Sequence, residues 1–402
     1  MPFSGAFPTP MMILPSYSPA RVMGDRCLID RKFHTGTCLY AESLATEIVV
    51  LAPELDDTTL QMDFIELPVA ELPYRVETLR CDGNFQLDPS DRGRVEALVR
   101  DCAFVYGMGF DTSHFARRFG KPYLPIVEYN LATQIQVARL PVKGTLRQTI
   151  RTIKTVWRFL GEIQDLRRGH SVHCNGYPIF EQTRHFNSDC LLYLDSRISE
   201  DMVIGLGSLE QRLSDLEAGR PARLLYSGRF EAMKGARDVV EVGLVLRELG
   251  TDFELDLYGQ GEEAELMRTR VREAKAEDQI RIHDAIPYPE LVERSRESDL
   301  FVCCHVQDDP SCSYLEAFGS GLPIVGYANR MWSALQKATN VGASTPMKRV
   351  EACAKGIAEC LADSKQMRED SLRARSFALE HSFEREFAKR IDAIAPLCGN
   401  RS

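Results

Sequence analysis

The sequence has 402 residues, which is too long for one hydrophobic core and predicts two domains. Apolar residues make up 44% and charged residues 27% of the chain, values typical of a soluble globular protein and not of a disordered or fibrous one. The net charge of -9 argues against general nucleic-acid binding, which usually needs a basic balance, although it leaves room for a local basic patch.

The 12 cysteines are scattered and include the adjacent pair Cys303 and Cys304. They form no CxxC motif, so neither a zinc ribbon nor a thioredoxin-type site is predicted, and we expect a reducing compartment. The chain has no charge before Arg21 and is interrupted by prolines there, unlike a signal peptide. Since it also has no apolar run of about 20 residues, we expect a cytoplasmic protein.

Apolar runs alternate with amphipathic stretches along the N-terminal half, which indicates parallel α/β structure. A helix is predicted over 36–46, after a turn. The strands predicted in this half cover 11–14, 48–51, 103–106, 123–128 and 191–194.

The same alternation is clearer in the C-terminal half and predicts a doubly wound sheet, which binds ligands at the carboxyl ends of its strands. The predicted strands cover 224–226, 253–257, 280–283, 300–304 and 324–327, and the predicted helices cover 235–249, 262–276, 288–298 and 313–320. We place the domain boundary within 200–222, giving a first domain over 1–200 and a second over 201–382.

A glycine turn with two cations follows the first strand of the second half. Gly228 lets the chain turn, and Arg229 and Lys234 stand five residues apart before a helix. Such a loop can place both cations on a diphosphate, because arginine binds phosphate oxygens bidentately and lysine adds a point charge. Two solvated cations in an ordinary turn explain the segment equally well.

The next strand also ends in glycines. Gly259 and Gly261 precede a helix, and they indicate a close approach of the backbone to another group, such as a nucleotide base or ribose. A plain tight turn explains the pair nearly as well.

The third segment, 308–323, carries the most information. Ser313 is a candidate N-cap of a short helix, and Glu316 occupies the capping-box position. A helix start facing a cleft offers free N–H groups to an anion. The competing interpretation is that Glu316 only caps its own helix. The acids Asp308 and Glu316 lie eight residues apart, a spacing that is not specific by itself.

Together, these three segments resemble the donor domain of the family 4 retaining glycosyltransferases, which have the GT-B fold. The resemblance covers roughly 222–330. Its matching residues are Gly228, Arg229, Lys234 and Gly235 in the first loop, Gly259 and Gly261 in the second, and Glu316, Ala317, Gly319, Gly321 and Pro323 in the third.

The resemblance implies a role for each matched position. Arg229 and Lys234 would neutralise the diphosphate, and Glu316 would bind the ribose hydroxyls. Asp308 would contact the transferred sugar, although the family usually has glutamate there and Asp309 is an alternative. The backbone N–H groups expected near the phosphates belong to Ser311, Cys312, Ser313 and Tyr314.

The resemblance also implies two Rossmann-like domains facing a central cleft, with a C-terminal helix (383–402) crossing back to the first domain. The implied activity is metal-independent, retaining transfer of a hexosyl group from a nucleotide sugar to a glycan, glycolipid or lipid-linked acceptor, as in polysaccharide biosynthesis. Whether the donor is a UDP- or a GDP-sugar stays open. Two other functions remain: a nucleotide-sugar isomerase or hydrolase, and a non-catalytic nucleotide-sugar-binding subunit.

The N-terminal half matches the family less well. Gly36 stands where relatives often have a glycine-rich loop, and it is a candidate for contact with the donor phosphate; an ordinary helix-start turn is the alternative. Glu128 and Asn175 are candidates for contact with sugar or acceptor, or else a structural carboxylate and a simple turn. His170 and His173 have no evident third ligand, so we expect no metal site, and no cofactor beyond the donor.

The stretch 139–168 is basic and carries an apolar stripe at helical spacing. One interpretation is a helix (143–160) that contacts an anionic membrane, with Trp157 at the interface. The other, to which we give slightly more weight, is a core-facing helix with a solvated basic side. The stripe consists of Leu146, Ile150, Ile153, Trp157 and Leu160, and the basic residues beside it are Arg147, Arg151, Lys154 and Arg158.

Overall fold

The computed structural model describes residues 11–55, 63–82, 86–140, 142 and 144–398, so Lys143 of the basic stretch lies outside the described residues. The strands are β1 (Met11–Pro15), β2 (Arg21–Met23), β3 (Arg26–Asp30), β4 (Glu47–Pro53), β5 (Phe64–Pro68), β6 (Arg75–Leu79), β7 (Phe104–Tyr106), β8 (Tyr123–Leu124), β9 (Ile126–Val127), β10 (Val172–Asn175), β11 (Cys190–Tyr193), β12 (Ala222–Ser227), β13 (Phe253–Tyr258), β14 (Ile280–His283), β15 (Leu300–Cys303), β16 (Ile324–Tyr327) and β17 (Ala343–Thr345).

The helices lie between these strands and cover their faces. They are α1 (Arg31–Ser43), α2 (Pro89–Asp101), α3 (Thr112–Arg118), α4 (Leu131–Arg139), α5 (Thr145–Arg168), α6 (Tyr177–Thr183), α7 (Leu206–Glu217), α8 (Ala236–Glu248), α9 (Ala264–Glu273), α10 (Tyr288–Glu297), α11 (Ser313–Gly319), α12 (Arg330–Thr339), α13 (Val350–Ala362), α14 (Ser364–Glu380) and α15 (Phe383–Ile394). Among the described helices, none is long and apolar enough to cross a membrane.

The elements from β1 to β11 form the first domain. Its main sheet has the order β6-β4-β1-β7-β8, and a three-stranded sheet has the order β11-β10-β9; every pair in both is parallel. A small antiparallel sheet, β2-β3-β5, combines a hairpin that lies between β1 and α1 with β5, which follows β4 along the chain. This antiparallel insertion is not predicted by the alternation of strands and helices.

The elements from α7 to α14 form the second domain around one six-stranded parallel sheet of order β14-β13-β12-β15-β16-β17. The strand order reverses between β12 and β15, so the carboxyl ends of these two strands form a switch point at which α/β sheets bind ligands. The five strands predicted for this half are confirmed, and β17 extends the sheet by one strand.

Two predictions in the first domain are wrong in detail. The helix predicted over 36–46 begins at Arg31, because Asp30 caps it by accepting a hydrogen bond from the Phe33 N–H at 2.8 Å. The strand predicted over 123–128 is split at Pro125, which has no N–H to donate to a ladder. Strand β10, which is not among the predicted strands, lies in the middle of the three-stranded sheet.

The last helix, α15, packs on the first domain. Phe387 and Ile394 join the apolar core that also contains Tyr40. The guanidinium of Arg390 is buried and lies 4.4 Å from the ring centre of Tyr193 and 3.9 Å from that of Phe387. Such stacking stabilises a cation that burial strips of water. The chain therefore leaves the first domain after β11 and returns to it with α15.

The helix returns close enough to α1 that a side chain does not fit between them. A Cβ placed on Gly36 would lie 2.2 Å from Cζ of Phe387, inside van der Waals contact. Gly36 is therefore a packing residue in the middle of α1, and the prediction that it approaches a phosphate is wrong. The physical reason is that α1 starts five residues earlier than predicted, which moves Gly36 away from the helix start.

We predict that Gly36→Ala lowers the thermal midpoint, because overpacking a tight contact typically costs about 1–3 kcal/mol. The matched control is Gly93→Ala in α2, where a Cβ meets nothing within 4 Å. That change should raise stability by about 0.5–1 kcal/mol, since alanine is the better helix former. Differential scanning calorimetry measures the change in thermal midpoint of each variant, which should be negative for Gly36→Ala and positive for Gly93→Ala. A Gly36→Ala midpoint that rises with that of Gly93→Ala would contradict the packing described here.

Candidate functional site

The two domains meet along a cleft lined by the carboxyl ends of their strands. A Cβ on Gly176, which follows β10, would lie 2.9 Å from Pro310 of the second domain. The ammonium of Lys32, near the start of α1, lies 3.2 Å from Sγ of Cys312 across the same cleft. The ends of β9, β10 and β11 therefore face the loop that joins β15 to α11.

The first-domain wall carries polar side chains where three parallel strands end. Glu128 follows β9, Asn175 ends β10 and Asp195 follows β11. Asn175 accepts a hydrogen bond from the Asp195 N–H at 3.0 Å. Burial and the charge of Asp195 raise the pKa of Glu128, while the Lys32 ammonium and a hydrogen bond from Asn175 act in the opposite direction. The structure thus brings the predicted residues Glu128 and Asn175 together on one wall of the cleft. Glu128 is exposed to solvent, and Asn175 is buried.

Lys32 is a cleft residue that the sequence analysis did not find. Its ammonium donates to the carboxylate of Asp195 at 2.5 Å and to Cys312. Burial lowers the pKa of Lys32, and the Asp195 carboxylate outweighs that effect and raises it, so Lys32 stays charged. No sequence signal indicates this residue, because the hairpin of β2 and β3 separates it from β1.

The loop after β12 presents two cations in different environments. Arg229 is exposed, with 60% of its side chain accessible, and pairs with Glu231 at 3.0 Å. Lys234 is buried, and its Nζ lies 2.7 Å from Oδ2 of Asp309. The side chain of Phe230 is fully buried and holds the loop between them. Lys234 is therefore fixed in position and Arg229 is free to move toward a ligand.

The two adjacent aspartates have different partners. Oδ1 of Asp308 accepts a hydrogen bond at 2.7 Å from the N–H of Arg330, the first residue of α12. Asp309 binds Lys234 with one carboxylate oxygen, and its other oxygen, Oδ1, is buried with no hydrogen-bond partner among the described residues. One oxygen of Asp308 thus stabilises a helix start. The unsatisfied oxygen belongs to Asp309, the alternative that the sequence left open.

The start of α11 offers two backbone donors. The N–H of Ser311 donates to Asp309 and that of Tyr314 donates to Ser311. Within the described chain, the N–H groups of Cys312 and Ser313 donate to no protein acceptor. The predicted set of four N–H groups is therefore reduced to two. Cys312, not Ser313, occupies the N-cap position, and it makes no side-chain capping bond.

Glu316 does not cap its own helix. Its Oε1 accepts a hydrogen bond from Nε of Arg197 at 3.0 Å, and the guanidinium of Arg197 lies 4.5 Å from the ring centre of Tyr288. The charge of Glu316 outweighs burial and raises the pKa of Arg197. The capping-box interpretation is wrong, because the Glu316 side chain points to the segment that links the domains. Arg197 and Tyr288 are further residues that no motif indicates.

The glycines after β13 approach protein and not open space. A Cβ on Gly259 would lie 1.9 Å from the carbonyl oxygen of Gly228, and one on Gly261 would lie 2.4 Å from that of Phe230. The close backbone contact expected for these glycines is therefore made with the loop that carries Arg229. This packing fixes the position of Gly228 and its neighbours at the cleft.

No cluster of three or more histidine, cysteine, aspartate or glutamate side chains suited to a metal ion occurs in the described part of the chain. The charges that converge on the cleft are those of Lys32, Arg197, Arg229 and Lys234, with Glu128, Asp195, Asp309 and Glu316 beside them. An anion that enters this cleft meets cations from both domains.

Comparison with known proteins places this arrangement in a family context. Residues 209–376 match the family model of the glycosyl transferases group 1. The crystal structure of Anabaena Alr3699/HepE in complex with UDP shares the fold, with a TM-score of 0.64, 12% identity and coverage of 96% of this chain and 99% of that one. The chain has the GT-B fold predicted from its motifs, whereas the narrower assignment to family 4 stays a prediction.

Curated relatives also match by sequence, among them the following two. The UDP-N-acetylglucosamine--peptide N-acetylglucosaminyltransferase GtfA subunit of Streptococcus gordonii is 27% identical over 125 residues, which are 31% of this chain and 24% of that protein. The amylovoran biosynthesis glycosyltransferase AmsK of Erwinia amylovora is 23% identical over 248 residues, 54% of this chain and 59% of that protein. The chain thus matches about a quarter of the first relative's length and somewhat over half of the second's.

We predict that Asp308→Ala lowers the thermal midpoint, because the N–H of Arg330 loses its acceptor at a helix start, a loss of about 1–2 kcal/mol. Asp308→Asn is the matched control, since its amide oxygen still accepts that bond, and it should cost less. Thermal unfolding of both variants measures the difference. If Asp308→Ala unfolds at the wild-type midpoint, the carboxylate does not stabilise α12 as described.

Proposed function

We propose that this GT-B chain, with its group 1 glycosyl transferase segment, moves a hexosyl group from a nucleoside diphosphate sugar to an acceptor hydroxyl. Transfer proceeds with retention of the anomeric configuration and without a metal ion. The observation that carries the proposal is the cationic corner formed by Arg229, Lys234 and the free N–H groups of Cys312 and Ser313.

This corner matches the chemistry of a diphosphate leaving group. Negative charge grows on the phosphate oxygens as the bond to the sugar breaks, and fixed donors aimed at those oxygens lower the barrier. Lys234 is held in place by Asp309, and Arg229 adds a planar fork that suits phosphate oxygens. Lys32 adds a cation from the opposite wall. These groups supply the charge that a metal ion supplies in other transferases.

The other polar groups suit the rest of the donor. We assign to the Glu316 carboxylate the hydrogen bonds from the ribose hydroxyls. When no ligand is bound, it accepts a hydrogen bond from Arg197. Oδ1 of Asp309 is buried and unsatisfied among the described residues, and we propose that it accepts a hydrogen bond from the sugar when the donor is bound, a role that we assign to it in preference to Asp308. Glu128 and Asn175 lie on the wall from which the acceptor approaches.

The names of the relatives support a uridine donor and a glycan-type acceptor. The GtfA subunit is named for UDP-N-acetylglucosamine, Alr3699/HepE has been solved with UDP, and AmsK is named for the biosynthesis of amylovoran. We therefore propose a UDP-sugar as the donor and a saccharide or lipid-linked saccharide as the acceptor, with the reaction taking place in the cytoplasm.

We predict that UDP stabilises the wild-type protein in the presence of EDTA, and that Arg229→Ala and Lys234→Ala remove most of this effect. A ligand at one hundred times its dissociation constant adds about 2.7 kcal/mol of stability. A thermal-shift panel with UDP, GDP and ADP measures it, each variant being compared with its own ligand-free midpoint because Lys234 is part of a buried ion pair.

The matched control for this panel is Arg272→Ala, which removes an exposed arginine from the last turn of α9 in the same domain. Its UDP response should equal that of the wild type. Stabilisation by GDP or ADP alone would contradict the uridine donor, and no response to any of the three nucleotides would contradict the donor site.

We further predict that release of UDP from a UDP-sugar is slow until an acceptor is present, because transfer requires the acceptor hydroxyl. A coupled assay of UDP release, with and without an acceptor saccharide, measures this dependence.

Removal of one charge-stabilising donor typically costs about 10²–10³ in kcat, so Arg229→Ala should reduce turnover to that extent. Rapid acceptor-independent consumption of donor would favour the isomerase or hydrolase, and binding without turnover would favour a non-catalytic subunit.

A further inference from the structure

Of the described helices, α5 exposes the most large apolar side chains, and it faces the opposite way from the core-facing interpretation. Five of its large apolar side chains point to solvent, whereas Thr155, Phe159 and Leu166 lie on the buried side. The stripe named here consists of Leu146, Ile150, Ile153, Trp157 and Leu160, with exposed fractions of 75%, 45%, 53%, 72% and 50%. The core-facing interpretation of the stripe is wrong.

Neighbouring side chains extend this apolar surface. Leu140, at the end of α4, is 56% exposed, and Val137, in the last turns of α4, is 38% exposed. Helices α4 and α5 pack together, and Gln134 donates to Glu162 at 2.9 Å between them. Exposed apolar side chains grouped on one packed helix pair mark a site of interaction with a partner or a membrane.

The basic residues beside the stripe indicate which class of partner fits this surface. Arg147, Arg151 and Lys154 are exposed and have no ion-pair partner within the described ranges, while Arg158 pairs with Glu162 at 3.5 Å. This local basic surface lies on a chain whose net charge is -9. A second copy docked face to face through α5 would oppose like charges, and a nucleic acid offers no apolar surface to the stripe. An anionic bilayer satisfies both parts of the surface.

The position of the helix pair relates this surface to the cleft. Helix α4 begins at Leu131, three residues after Glu128, with Asn130 as its N-cap. Since α4 packs on α5, the helix pair that carries the apolar and basic surface starts directly after the acceptor wall of the cleft.

We infer that the stripe and its flanking basic residues dock this protein on an anionic lipid bilayer, with α5 parallel to the membrane plane. The apolar side chains enter the boundary between head groups and acyl chains, and the arginines and Lys154 contact anionic head groups. Docking brings the cleft mouth near Glu128 to the bilayer. Given the proposed transferase function, the acceptor is then a lipid-linked saccharide presented at the membrane surface.

The two tryptophans of the chain make this inference directly measurable. Trp157 is 72% exposed, and Trp332 is fully buried between strands and helices of the second domain. When phosphatidylglycerol vesicles are added at low salt, the tryptophan emission should shift to shorter wavelength and the protein should sediment with the vesicles. Phosphatidylcholine vesicles should bind less protein, and added salt should weaken the binding because it screens the head-group charges. Trp157→Phe should remove the emission shift while most of the sedimentation remains.

The decisive variant is Ile153→Asp. It places a hydrated carboxylate, which has the same sign of charge as the anionic head groups, in the middle of the stripe. It should weaken binding to phosphatidylglycerol vesicles at least tenfold. The matched control is Leu266→Asp on α9, where the wild-type side chain is also exposed, at 57%, and binding should be unchanged. Both variants should keep the UDP-induced thermal shift of the wild type, so the docking result does not depend on the donor site.

Three outcomes would overturn the inference. The first is wild-type protein that does not sediment with phosphatidylglycerol vesicles at low salt. The second is Ile153→Asp binding the vesicles as tightly as Leu266→Asp. The third is a lipid-free dimer that Ile153→Asp dissociates, which would make a second copy the partner of the stripe. Loss of UDP binding with vesicle binding retained would count against the proposed function and not against docking.

Discussion

The return of α15 to the first domain is the constraint on which the cleft depends. Its buried carboxylate, Glu386, accepts a hydrogen bond at 3.0 Å from the N–H of Leu194, which lies immediately after β11. Burial favours the neutral form of Glu386, but hydrogen bonds from His381 and Lys389 hold its pKa below the usual value. The segment that leaves the first domain is thereby tied to the helix that re-enters it, so Asp195 and Arg197 are held at the cleft.

The same segment connects the chemistry of the two walls. Asp195 binds Lys32 of the first domain, and two residues later Arg197 binds Glu316 of the second domain. Without ligand, each cation of the cleft has a carboxylate partner, as Lys234 has Asp309. A diphosphate therefore competes for charges that are already paired. Breaking the exposed ion pair between Arg229 and Glu231 costs the least free energy, because solvent screens its charges.

Helix α5 shows that a periodic pattern does not reveal which side of a helix faces the core. The stripe of Leu146, Ile153 and Trp157 has the spacing of a buried face, yet the protein buries the face with Thr155 and Phe159. Periodicity records only that apolar residues share a side. Whether that side meets the core or a membrane depends on what packs beneath the helix, and here α4 and Phe186 contact α5 on its buried side.

The sequence by itself determined the doubly wound second domain and the place of Arg229, Lys234 and Glu316 at the ends of its strands, because strand and helix periodicity and glycine turns are local signals. It did not determine the partners of those groups. The sequence offers Gly36 as a candidate for ligand contact or as an ordinary helix-start turn, whereas the structure packs it against Phe387, 351 positions later in a chain of 402 residues. Lys32, Arg197 and the unsatisfied oxygen of Asp309 became visible only when distant segments were brought together, since no local pattern encodes a contact between domains.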